Sequence, residues 1–220
     1  MGDLISVLTD NSDEFLSGFW VTVRLVVFSF VIAMVVGTLV AALRIAPSKV
    51  LQRLGGVYVE TFRNTPLLVL LFISFAGFRR AGVDINAWVA GIGSLGLYTA
   101  AYVAEALRSG VFSVHKGQIE ASLSLGFTYP ETMRRIILPQ AFRTVISPLG
   151  SLIIAMIKNS AILGGSILAL NDLLKTGRVI ASRTFDVIPA FVSAAAGYLI
   201  LTGLATLAIR KLETRYAVRR

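Results

Sequence analysis

From Leu25 to Leu43 the chain runs 19 residues without a charged side chain. A helix of that length reaches about 28 Å, close to the roughly 30 Å hydrocarbon core of a bilayer. Four more such stretches follow. Asn64–Phe78, Ile85–Ala104 and Val187–Ile209 are uncharged, and Thr144–Asn171 carries only Lys158. Asn64–Phe78 is short and needs residues before it, which puts Glu60 and Arg63 at its mouth. The expectation is an all-α membrane protein with five transmembrane helices in a single domain over residues 1–220. Composition agrees: 55% of residues are hydrophobic, 15% are charged and mean hydropathy is +0.77. A soluble domain carries about a quarter charged residues. The acidic start (Asp3, Asp10, Asp13, Glu14) lacks the basic region of a signal peptide, so none is expected.

Cysteine is absent and His115 is the one histidine. Thiolate metal sites, cysteine catalysis and a Ser-His-Asp triad are thereby implausible, and no metal site is expected. The net charge of +9 is read as loop and headgroup charge and not as a nucleic-acid signal. With the N-terminus outside and the C-terminus inside, thirteen Lys and Arg lie on the inner side against six outside. That satisfies the positive-inside rule; Arg79 and Arg80 are the outer exception.

The third loop, residues 108–139, is too long for a simple turn. Ser113–Leu125 can form a short helix, and Gly126 supplies a left-handed stop. Thr128-Tyr129-Pro130-Glu131 has the spacing of a capping box. A second helix then runs to Leu138, with Pro139 marking the entry to span 4. The bare pattern leaves two readings, an interfacial amphipathic helix or a docking element.

Glu120-Ala121-Ser122, Gly126, Ile136 and Leu138-Pro139 stand at the spacing EAA-x3-G-x9-I-x-LP. This resembles the EAA loop of ABC importer permeases, with Ser122 in place of the third-position alanine. Glu60-Thr61-Phe62-Arg63-Asn64-Thr65-Pro66-Leu67-Leu68 resembles the span 2 signature of the polar amino acid permeases. Phe19-Trp20-Val21-Thr22 is similar to the start of their span 1. The resemblance implies a type I ABC importer permease fold in the bacterial inner membrane. It also implies that Glu120, Ala121, Ser122, Gly126, Ile136, Leu138 and Pro139 form a cytoplasmic coupling loop. The implied partners are a cytoplasmic ABC ATPase dimer, a second permease chain (the same or homologous), and an extracytoplasmic amino-acid-binding protein. The implied cargo is a polar amino acid such as glutamate, glutamine or aspartate. Nothing here resembles a Walker A loop, so this chain is not expected to be an enzyme; ATP and Mg belong to the partner ATPase.

Thr144–Asn171 would be about 42 Å as a straight helix, longer than the bilayer core. A break is therefore expected, with Gly164-Gly165 the candidate. Lys158 falls within the membrane, followed by Asn159 and Ser160. It either snorkels to the outer surface or faces a cavity; the family resemblance favours the substrate path. Asn64 and Thr65 offer polar groups deeper in span 2, and Pro66 is expected to kink it. Glu60 and Arg63, three apart, are read as an interfacial ion pair or as a contact at a gate or dimer interface. Glu105 and Arg108 are read as a structural pair. Gly91, Gly93 and Gly96 are expected to allow close helix packing. The rival readings are an ABC permease for another small solute, such as methionine, and an ion-coupled secondary transporter. The latter predicts inverted repeats and buried acidic residues.

Overall fold

The helices follow directly from the apolar runs. The computed structural model describes residues 4–216 apart from Ala169; Asp3, Arg219 and Arg220 of the charge reading lie outside them. In chain order the helices are α1 (Leu4–Asp10), α2 (Ser12–Ile45), α3 (Lys49–Asn64), α4 (Leu67–Phe72) and α5 (Phe78–Arg80). Then come α6 (Ala87–Phe112), α7 (Lys116–Ser124), α8 (Tyr129–Thr132), α9 (Leu138–Gly165), α10 (Leu173–Thr184) and α11 (Val187–Tyr216). Wider π turns over Ile73–Gly77 and Met133–Ile137 join α4 to α5 and α8 to α9. Among the described residues every regular element is helical. Four helices among these residues are long and apolar enough to cross a membrane, and there are five crossings if the bent pair of α3 with Leu67–Arg80 is one span.

Several boundaries move. Span 2 takes in residues before Asn64, as expected, but not as one straight helix. Pro66 cannot donate to the helix, and Thr65 before it is held extended at φ −99°, ψ 126°. The chain turns 101° there, so the fifth crossing is bent, with Leu67–Arg80 as its second arm. The 14 residues of that arm reach about 21 Å, less than a bilayer core. Amphipathic α3 packs Val59 against Val40, Ala41 and Ala104. The Tyr58 hydroxyl donates to the Leu97 carbonyl at 2.8 Å, near the middle of α6. Span 3 continues past Ala104 to Phe112. Pro139 does not interrupt its helix: it sits in the first turn of α9, straight after the π turn. That wider turn accommodates the missing N–H, so Tyr129–Gly165 runs on as one 37-residue span. The expected stop at Gly164-Gly165 is where α9 ends.

The α2, α6 and α9 helices hold the core, where Leu25, Leu95, Val103 and Leu163 are fully buried. Small residues let α2 and α6 approach: a methyl on Gly96 would meet Ile32 at 2.9 Å, and one on Gly37 would meet Val103 at 2.7 Å. The Ser29 hydroxyl bridges to the Ile92 carbonyl at 3.2 Å. Gly91 is similarly crowded by Leu163, whereas Gly93 faces open space. Outward faces of α2 and α11 expose Phe28, Val31, Val35, Leu199, Ile200 and Leu204, as lipid contact requires. The bundle has two ends. One carries α3, α7 and the end of α6; the other carries α1 and α10.

Candidate functional site

The α7 end presents a rigid helix–turn–helix. His115 caps α7 by accepting the Gly117 N–H on Nδ1 at 3.1 Å. The helix closes in a Schellman turn: the Phe127 N–H donates to the Ser122 carbonyl at 3.1 Å, and the Gly126 N–H to the Leu123 carbonyl at 3.0 Å. Gly126 takes φ +84°, the left-handed geometry a glycine adopts at least cost. A methyl there would meet nothing within 4 Å, so the demand is on the backbone and not on space. The capping box is present, with the Thr128 N–H donating to Glu131 Oε2 at 2.9 Å.

This unit is fastened to the long span behind it. Ser122, the departure from the EAA pattern, is buried, and its hydroxyl pairs with that of Thr132 at 2.8 Å. The Gln140 side chain bonds to Gln118 on α7 and to the Ile136 carbonyl. Glu120 and Ala121 point outward. So do Leu123, Leu125 and Tyr129, the second of them 78% exposed. Ile136 is half-buried, while Leu138 and Pro139 are exposed along α9.

Along the bundle, α9 turns one polar stripe outward. Thr144, Ser147, Pro148, Ser151 and Lys158 are exposed at helical spacing. Thr144, Pro148 and Ser151 face Tyr102, Glu105 and Ser109 of α6 across an open cleft of about 560 Å³, which Arg63 also lines. The expected Lys158-Asn159-Ser160 patch is split. Lys158 is exposed and Asn159 half-buried, but Ser160 is fully buried and bonds the Ile157 carbonyl at 2.7 Å. Residues two apart on a helix face nearly opposite ways. Asn64 and Thr65 lie at the corner between α3 and α4, Asn64 exposed and the Thr65 hydroxyl bonded to the Thr61 carbonyl. Glu60 and Arg63 form no ion pair with one another; Arg63 lies 5.2 Å from the Tyr102 ring centroid. The Glu105–Arg108 pair is present and gains Arg44 from α2.

The sequence reading missed a buried carboxylate at the α10 end. Asp172 has no exposed surface and caps α10, accepting the Lys175 N–H at 2.8 Å. The Tyr198 hydroxyl of α11 donates to its Oδ2 at 3.3 Å. Thr22 of α2 accepts the neighbouring Leu173 N–H at 3.2 Å. Gly164 leaves room for the carboxylate, since a methyl there would stand 1.7 Å from Oδ1. Burial pushes the Asp172 carboxyl up to about 6 against its backbone hydrogen bonds. An aspartate heading an amphipathic run was a readable cap signal. The hydroxyls of the α9 stripe were likewise readable at spacings of three, four and seven.

The family model described as "Binding-protein-dependent transport system inner membrane component" matches residues 16–218. A probable glutamine ABC transporter permease protein, GlnM of Bacillus subtilis, is 41% identical over 96% of this chain and 97% of its own. The glutamate transport system permease protein GluC of Corynebacterium glutamicum is 39% identical with the same coverages. Among solved structures, a crystal structure of an amino acid ABC transporter with histidines matches at a TM-score of 0.91. It shares 32% identity over 98% of this chain and 99% of that one. The methionine transporter MetNI, facing inward, matches at 0.69 and 22% identity over 99% and 100%, a likeness of fold.

Proposed function

Since the chain belongs to the binding-protein-dependent transport system inner membrane components, as an amino acid ABC permease, we propose that it imports a glutamine- or glutamate-type amino acid. Its relatives named for glutamine and glutamate transport support that cargo. Two permease chains, this one with itself or with a homologue, form the path. A partner ATPase binds ATP and Mg and hydrolyses the nucleotide on the cytoplasmic side. An extracytoplasmic binding protein delivers the solute near α10, with the N-terminus outside and the C-terminus inside.

The observation that carries this reading is the fastening of α7 to α9. A displacement of α7 by an ATPase passes through the Ser122–Thr132 and Gln118–Gln140 contacts into the span that bears the polar stripe. Packed helices respond to such a push by shifting as bodies. Polar side chains facing out of a spanning segment are costly against lipid. The stripe therefore fits a path or a second chain, and Lys158 suits a substrate carboxylate. Glu120 and Ala121, exposed on α7, meet the ATPase, and Gly126 holds the reversal that presents them.

The test is reconstitution in liposomes with the ATPase, binding-protein and permease partners encoded beside the chain, measuring uptake of labelled glutamine, glutamate, aspartate and methionine. ATP-dependent uptake of the first three supports the proposal. Uptake of methionine alone reassigns the cargo. Uptake that follows an ion gradient without ATP overturns the importer reading.

A further inference from the structure

A second open cleft, of about 630 Å³, lies between α3 and the ends of α2 and α6. Arg44, Lys49, Arg53 and Arg108 line it; Glu60 is the acidic residue in its wall. Arg44 and Arg108 share one carboxylate, Glu105. Among the described residues no carboxylate pairs with Lys49 or Arg53. Counting both Glu60 and Glu105, the cleft keeps a net positive charge. Lys49 and Arg53 stand four apart on one face of α3. Lys49 opens that 16-residue helix, where Ser48 makes no side-chain cap. The first N–H groups of α3 therefore add the positive end of its dipole. A methyl on Gly56 would meet nothing within 4 Å, so the cleft floor is open.

Apolar side chains border this basic cleft. Val57 and Phe112 line it, and Val50 and Leu54 extend the Val57 face of α3 at helical spacing; the four are 63%, 63%, 66% and 59% exposed. A soluble anion would satisfy the cations and leave these side chains in water. A neutral lipid would cover them and leave the charges unmatched. An amphiphile with an anionic head meets both needs.

We propose that this cleft binds the phosphate headgroup of an anionic phospholipid, with acyl chains lying on Val50, Leu54 and Val57. The site requires only that the chain spans a bilayer; it does not depend on which amino acid is carried.

The test uses the full chain purified in detergent, titrated with phosphatidylglycerol or phosphatidylcholine, with bound lipid read by native mass spectrometry. Phosphatidylglycerol is expected to bind more tightly than phosphatidylcholine. Removing one cationic charge near a membrane surface weakens such binding about fivefold. Arg53→Gln should show that loss, and Lys49→Gln with Arg53→Gln a loss on the order of 25-fold. Lys175→Gln with Arg178→Gln, at the opposite end, should bind like wild type. Unchanged elution and helical content for Arg53→Gln keep the single variant informative if the double variant fails to fold. Equal retention of the two lipids, or undiminished binding by Arg53→Gln, overturns the proposal. So does displacement of phosphatidylglycerol by inorganic phosphate at equal concentration, which would mark a site for soluble anions.

Discussion

Two residues carry sharp consequences. At Gly126 the constraint is φ +84° in open space. A β-branched side chain there costs roughly 1–2 kcal/mol of backbone strain, whereas asparagine tolerates the geometry better. Gly126→Val should therefore reduce recovery of the ATPase complex by roughly tenfold, and Gly126→Asn should keep most of it, measured by co-purification. Asp172 makes a pH prediction. Its folded carboxyl titrates near 6, above its ordinary 3.8, so the folded chain holds the proton more tightly than the unfolded one. Stability contributed by this group is present below pH 3.8 and is lost as pH rises through about 6. The gap corresponds to about 3 kcal/mol at most. Thermal unfolding in detergent should shift upward as pH falls from 7.5 to 5. Asp172→Asn, which keeps the cap, should flatten that shift.

Among the elements, the corner between α3 and α4 and the joint between α8 and α9 show proline acting in opposite ways. Pro66 holds Thr65 extended and forces a 101° turn. Pro139 sits in a first helical turn behind a π turn and leaves the span continuous. Proline ends a helix where the residue before it is held extended, and passes where that residue stays helical, as Leu138 does before Pro139; Pro148 likewise sits inside α9. Pro66→Ala releases Thr65 and supplies an N–H, so α3 gains the means to run on into α4. Uptake should fall several-fold while the ATPase complex is still recovered, and amide exchange across residues 64–68 should slow. At the other joint, Ser122→Ala removes the hydroxyl that meets Thr132. A cost of about 1 kcal/mol is expected from one buried hydrogen bond, read as a lower unfolding midpoint with ATPase binding retained.

At the scale of the whole molecule, the surface divides by what it must meet. The α2 and α11 faces are apolar and suit lipid. The α9 stripe from Thr144 to Lys158 is polar and suits a path or a second chain. Lys158 lies seven residues before Gly165, about 10 Å from the end of α9. It is close enough to snorkel, and exposed enough to face a path. The two roles separate by function: Lys158→Ala should lower the uptake rate on the order of tenfold, as expected for loss of a charged hydrogen bond, with the complex intact. Unchanged kinetics would assign the lysine to the membrane surface.

The sequence by itself determined the apolar runs, the helix stop at Gly164-Gly165, the helix–turn–helix of the third loop, the left-handed glycine and the capping box. Each is a local matter of hydropathy over about 20 residues or of turn chemistry over four. The family resemblance was carried by motifs of the same local kind. Tertiary structure alone decided what joins residues far apart in the chain. Arg44 meets Glu105 across 61 residues, and Thr22 meets Leu173 across 151. Packing placed Ser160 inside and Lys158 outside, and it paired Arg63 with Tyr102 instead of Glu60. A period of 3.6 says which residues share a face; which neighbour that face meets is fixed only when small residues such as Gly37, Gly96 and Gly164 let particular helices close on one another.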